Sequence, residues 1–221
     1  MLLPLFVVAL GAISASLAVR PEVAGQARLW LYLLLPQLPL ALLACIALAR
    51  AGQLKTRLVP RRGDIFLGVL TATVLIIAAW AGRYLIMPHG SPRNACLARM
   101  YLQLGDPLVL QSTWWLPLVL IIGPMLEEVV WRGWLQQQLT ARFGDVRGLL
   151  LTTGLYAITT VPTMLPLGDP SVGTNVLFPL LAISGGLVWG YATMLCGRAT
   201  PAMISHAACA YFLVMQFRPG L

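Results

Sequence analysis

Stretches of roughly 20 mainly apolar residues, the length an α-helix needs to cross a hydrocarbon core, recur along almost the whole chain. They fall near residues 1–19, 29–49, 65–83, 107–127, 148–167, 176–196 and 201–217. Lipid offers no partner to a backbone N–H or C=O, so segments of this length and composition satisfy themselves as helices. The expected fold is all-α, a polytopic transmembrane helical bundle of about seven spans (six to eight), with any polar site between the helices of its C-terminal half. Composition agrees: 59% of residues are hydrophobic and 10% charged, against roughly 25% charged in a soluble domain, and the mean hydropathy is +0.82. One integral membrane domain over 1–221 is expected, with no internal repeat and no separate soluble domain.

Two stretches need a decision. "MLLPLFVVALGAISASLAV" has no basic leading region, and its apolar run is longer than that of a signal peptide, so it is read as a span. Residues 83–106 form the longest polar interval, with room for a short interfacial helix between proline and glycine breakers.

The formal net charge is +8, but its placement argues against a nucleic-acid partner. Arg50, Lys55, Arg57, Arg61 and Arg62 crowd one loop, and Arg132, Arg142 and Arg147 follow the fourth span. Alternating spans put these segments, with Arg198, on one side. The positive-inside rule makes that side cytoplasmic, with the N-terminus inside, and gives the charge to topology and to anionic lipid of the bilayer. The preference for arginine, with Lys55 the only lysine, points to a GC-rich prokaryote and hence to its inner (cytoplasmic) membrane.

Cys45, Cys96, Cys196 and Cys209 show no CxxC pair and no zinc-ligand spacing, so no disulfide framework is expected. Cys209 shares a helix face with His206, as a nucleophilic pair or as a small packed residue.

The sharpest feature is "GPMLEEVVWRG" (123–133), where charge stands at the end of an apolar run. An ionisable side chain at the bilayer centre costs about 2.5–3.5 kcal/mol on insertion scales, so such a group points to function. Glu128 and Arg132 are four apart in the favourable order and can pair, whereas Glu127 lies about 100° round the helix and finds no partner in that pair. A buried, unpartnered carboxylate holds its proton more tightly, the usual route to a general base near neutral pH. The alternative is a helix ending near Met125, with all three charges and the interface residues Trp131 and Trp134 in the headgroup layer.

Glu-Glu-x-x-x-Arg-Gly ahead of "WLQQQLTARFG" resembles the first motif of the CPBP family, intramembrane glutamate proteases named for CAAX-prenyl and bacteriocin processing. The resemblance extends over roughly residues 110–217 and implies that 107–217 is the catalytic core, with 1–106 supplying N-terminal spans and the polar loop. The family's second motif, approximately Ser-Ser-x-x-Phe-x-x-x-His, aligns with "TTGLYAITT" (152–160), with Tyr156 at the aromatic and Thr160 at the histidine position. A Gly-rich span ending in a basic turn is matched by "ISGGLVWGYATMLCGRAT" (183–200). The last motif, His-x-x-x-Asn, is matched by His206, with Ala210 at the asparagine position.

The resemblance implies an intramembrane endopeptidase in which Glu127 activates a water, Glu128 and Arg132 form a structural pair, and His206 donates to the oxyanion or to the leaving group. Thr160 can hold a water but cannot share a proton as imidazole does. The substrate expected is a membrane-anchored or hydrophobic protein segment, such as a C-terminal sorting or anchor signal. Two other readings stay open: a catalytically impaired homologue that binds such segments or scaffolds a partner, and a small transporter component with a Glu/Arg/His polar pathway. No cofactor is expected. A divalent metal on Glu127, Glu128 and His206 is the minor alternative, since no further Asp or Cys stands at supporting spacing. His89, the other histidine, is read as a solvated loop residue.

Overall fold

The computed structural model describes residues 2–88 and 90–216, so His89 lies outside the described residues. Among them the secondary structure is helical apart from one isolated bridge between Asp169 and Gly173, and the all-α expectation holds. The chain runs through α1 (Leu2–Ala18), α2 (Ala27–Leu34), α3 (Gln37–Arg50), α4 (Leu54–Leu58), α5 (Asp64–Leu85) and α6 (Asn94–Leu104). It continues through α7 (Pro107–Ser112), α8 (Leu116–Glu128), α9 (Gln136–Phe143), α10 (Asp145–Thr160), α11 (Leu177–Cys196) and α12 (Thr200–Tyr211).

Three of the expected spans are helices long and apolar enough to cross a membrane: Ala27–Arg50, which bends at Leu35–Pro36 between α2 and α3, Asp64–Leu85 and Leu177–Cys196. A shorter apolar helix covers Leu3–Ala18. The other three are helical but interrupted or short. The stretch 107–127 is two helices, because the backbone turns extended at Thr113 and α8 restarts with Pro117 in its first turn, where the missing N–H costs nothing. α7 is itself started by Asp106, whose Oδ1 accepts the Leu108 N–H at 2.7 Å. The stretch 148–167 is helical to Thr160 and then tightens into a 3₁₀ turn at Val161–Thr163, where Pro162 cannot continue an α-helix. Beyond Tyr211 the last helix loosens into a π turn over Phe212–Gln216.

The interfacial helix expected within 83–106 is α6. It ends at Gly105 with φ +110° and is held to the α1–α2 connection by Gln103, whose Nε2 donates to Ala18 O (2.8 Å) and Arg20 O (3.1 Å).

Packing brings the two halves of the chain together. α12 lies against α5 and α8, α10 against α11 and α1, and α3 against the segment that follows α8. That segment, Val129–Leu135, is a π turn, a wide single turn of the kind found at functional sites. Around it lies the larger core, with Val7, Leu40, Val130, Tyr156, Trp189 and Ala202. A second core, including Trp30, Leu110, Leu116 and Leu120, closes the other end. Lipid tails are as apolar as these side chains, so the helices associate by close packing of small residues more than by water exclusion.

At one end of the bundle the 50–62 loop meets the α11–α12 turn. Arg198 grips Asp64 with two nitrogens, Nε to Oδ2 at 2.7 Å and Nη2 to Oδ1 at 2.6 Å, and Arg57 Nη1 donates to Gly197 O at 3.0 Å. Arg57, Arg61 and Arg198 therefore share one end, as the alternating spans require. Arg132 does not belong with them: it is 0% exposed, inside the bundle, because its charge is answered by Glu128 rather than by solvent.

A β-carbon on Gly68 of α5 would stand 2.8 Å from Ile204 Cβ of α12, whereas one on Gly82 would meet nothing within 4 Å. Gly68→Val is expected to destabilise the protein by about 1–3 kcal/mol through overpacking, with Gly82→Val near neutral. Thermal unfolding of detergent-solubilised protein checks both.

Candidate active site

Five elements of the C-terminal half meet at one cluster. The end of α8 brings Glu127 and Glu128, the π turn Arg132, α10 Tyr156, α11 Trp189 and α12 His206. α3, from the N-terminal half, adds Gln37. The helix does not end near Met125, and the charges are not in a headgroup layer. Glu128 and Arg132 are both 0% exposed, and Trp131, 3% exposed, packs edge-on against Tyr156 at 5.3 Å instead of marking an interface.

The two glutamates have different surroundings. Glu128 Oε1 accepts from Arg132 Nη1 at 3.3 Å, and its Oε2 lies 3.3 Å from Arg132 Nε, so the i,i+4 pair forms. The same Oε1 is 2.9 Å from His206 Nδ1. A carboxylate only accepts, so Nδ1 carries the hydrogen and Nε2 is turned the other way, to 4.0 Å from Glu127 Oε2.

Glu127 is not without partners, contrary to expectation. Gln37 Nε2 donates to its Oε1 at 3.3 Å and the Tyr156 hydroxyl to its Oε2 at 3.2 Å. Both partners come from other helices, which spacing along one helix cannot reveal. The Glu127 side chain is 25% exposed where that of Glu128 is 0%, so a reacting group can approach the first carboxylate and not the second.

Aromatic rings fix the imidazole and the guanidinium. Trp189 stacks on His206 with centroids 3.9 Å apart and planes at 22°, and its Nε1 donates to Ser205 Oγ at 3.0 Å, which locks the indole. The Arg132 guanidinium carbon sits 4.7 Å from the centre of the Tyr156 ring, within cation–π range.

Thr160 stands apart from this cluster in its bonding. Its hydroxyl donates to Ala157 O at 2.7 Å, one turn back on its own helix. Cys209 is buried with Sγ 3.9 Å from Ala72 O on α5. Among the described residues no group of three or more His, Cys, Asp and Glu is placed to hold a metal ion.

Sequence reasoning missed Gln37, Trp189 and the hydroxyl of Tyr156. Each left a signal: a glutamine between Pro36 and Pro39 in an apolar span, a tryptophan in a Gly-rich one, and a tyrosine at a phenylalanine position.

A helical, multi-pass membrane protein whose glutamates, arginine and histidine meet between helices has the makings of a membrane-embedded hydrolase. Residues 109–212, which carry all of this cluster except Gln37, match the Rce1-like family, described as type II CAAX prenyl endopeptidase Rce1-like. That segment, just under half of the chain, is similar to this family of proteases, which supports a CAAX-type protease as the general kind of function. No curated protein and no solved structure matches it.

Removing one partner of a buried ion pair leaves an uncompensated charge. Arg132→Met is expected to lose about 3–5 kcal/mol, and Glu128→Gln combined with Arg132→Met to regain part of the loss. Unfolding midpoints of the three proteins in one detergent give the comparison.

Proposed function

We propose that the protein is an intramembrane endopeptidase that cleaves a membrane-anchored or hydrophobic protein segment, with Glu127 as the general base. The observation that carries this reading is the pairing of an approachable carboxylate with a locked imidazole: Glu127 Oε2 and His206 Nε2 face each other across 4.0 Å. A water held between them gives one proton to Glu127 while its oxygen bonds to the scissile carbonyl carbon. The C=O π electrons move onto the carbonyl oxygen.

His206 enters the cycle as the imidazolium and keeps both protons through it: its Nε2–H donates to that oxyanion while Glu128 accepts from Nδ1–H and balances the charge. Collapse breaks the C–N bond, and the proton taken by Glu127 passes to the departing nitrogen, which leaves as an amine. Gln37 and Tyr156 hold the Glu127 carboxylate in one orientation throughout, the arrangement that keeps a base within reach of its proton.

The absent second-motif histidine is answered by Tyr156, whose hydroxyl meets Glu127 from the same helix one turn before Thr160. Ala210 offers nothing polar, so oxyanion stabilisation falls to His206. The basic end formed by Arg57, Arg61 and Arg198 supports a prokaryotic cytoplasmic membrane with that end and the N-terminus inside. A C-terminal sorting or anchor signal, lying in the bilayer with its polar flank at the surface, suits such a site. The second reading, a homologue that binds such segments without cutting them, is favoured by the commitment of the Thr160 hydroxyl to Ala157 O.

Membranes from cells expressing wild type, Glu127→Gln and His206→Ala at equal levels distinguish the two when protein termini are profiled by mass spectrometry. Termini present in wild type and missing in both variants identify the substrates. Termini identical in all three exclude catalysis by Glu127. With a substrate in hand, Glu127→Gln is expected to lower kcat by about 10²–10⁴-fold, the usual contribution of a general base. Tyr156→Phe removes one hydrogen bond to a charged group, about 1.5–3 kcal/mol, and is expected to lower kcat by about ten- to a hundredfold.

A further inference from the structure

A layer that belongs to neither hydrophobic core crosses the bundle at the level of Glu127 and His206. Along α8, Leu116 and Leu120 lie in the second core and Leu126 packs against the first, and the turn between them carries Gly123 and Pro124. The bent span repeats the pattern, with Trp30 in the second core, Leu40 in the first and Leu34 in neither. On α12, Met203 packs against the first core and Tyr211 against the second, with His206 and Ala210 between them.

The layer is lined by small residues where it borders the catalytic pair. Gly123 lies one turn before Glu127 on the same face of α8, and Ala210 one turn after His206 on the same face of α12. The start of α8 and the end of α12 share the second core, so the two helices run antiparallel. Both small residues therefore lie on one side of the pair, toward that core. From any other element, only Leu34 Cδ1, at 3.8 Å, comes within 4 Å of a β-carbon placed on Gly123. Glycine weakens a helix relative to alanine, and neither a positive φ nor a crossing helix requires it here. Its missing side chain leaves a recess beside the base, and Gly123, Leu34 and Ala210 are each partly exposed to it.

We propose that this recess is a specificity subsite: it receives an apolar side chain of about leucine size from the substrate residue next to the scissile bond, and Gly123 and Ala210 set the size it admits. The reach is right. A helix turn rises about 5.4 Å, and a neighbouring substrate α-carbon stands about 3.8 Å from the one at the reacting carbonyl, so a side chain from it extends to the level of Gly123. The walls are right too, because Leu34, Ala210 and a bare helix backbone offer no charge to a substrate side chain. The inference rests on the protease reading above, since a recess beside Glu127 selects substrate only if Glu127 cuts it.

Termini lost from membranes of cells expressing Glu127→Gln, relative to wild type, give the cleaved bonds. For one such substrate, versions with Leu, Ala or Gly at each residue flanking the bond are then cut by wild type, Gly123→Ala, Gly123→Leu and Ala210→Leu, all purified in one detergent. Wild type is expected to prefer Leu to Gly at one flanking position by about tenfold or more in kcat/KM, the usual discrimination of an apolar pocket. Gly123→Leu and Ala210→Leu are expected to abolish or reverse that preference, with Gly123→Ala intermediate. Gly123→Ala keeps the test open if a larger side chain prevents folding, because nothing crowds its β-carbon and its unfolding midpoint is expected to equal or exceed that of wild type. A wild type indifferent to the size of both flanking residues, or a preference that the folded variants leave unchanged, overturns the subsite while the protease reading stands. Termini that Glu127→Gln leaves intact overturn the protease reading, and the subsite with it.

Discussion

The buried pairing of Glu128 with Arg132 is the interaction on which the rest of the site depends. Neither charge reaches solvent, and an ion pair of this kind returns its desolvation cost only when further polar groups complete it. Here His206 completes it from α12, and the ring faces of Tyr156 and Trp189 from α10 and α11 enclose the guanidinium. Four helices are thus placed by a single charge pair, and the position of the imidazole relative to Glu127 follows from it. Adjacent glutamates of the same chemistry acquire separate tasks because one points into this closed set and the other toward open space.

The π turn between them is how the backbone serves that division. A regular helix through Val129–Leu135 would carry its residues round in even steps, whereas the wide turn keeps Trp131, Arg132 and Leu135 all inward, between α3, α10 and α11. The distortion is confined to one turn because α8 and α9 are ordinary helices on either side. Wide turns at functional sites recur for this reason: they aim side chains without moving whole elements.

Much of this was legible in the sequence. Apolar length announced the helices, and the four-residue spacing of Glu128 and Arg132 announced the pair, because both signals are local. What spacing could not carry was the tertiary detail. Gln37 lies 90 residues from the carboxylate it touches, and Tyr156 lies 29. Trp131 read as an interface residue by type and is a core residue by position. The spans at 107–127 and 148–167 were overextended because hydropathy ignores what Thr113, Pro117 and Pro162 do to a helix. The charge of Arg132 was assigned to a membrane surface because counting basic residues does not show which are already neutralised.

Gln37 carries a consequence for how such a protein can change over time. The segment that resembles other proteins begins at residue 109, yet one hydrogen bond to its most approachable carboxylate comes from α3, and the Asp64 that anchors its last turn comes from α5. The C-terminal half is therefore not a cassette that could be inherited or transplanted by itself. A lineage that exchanged its leading helices would have to find a new amide for Glu127 and a new acid for Arg198, so the two halves of this chain are bound to drift together.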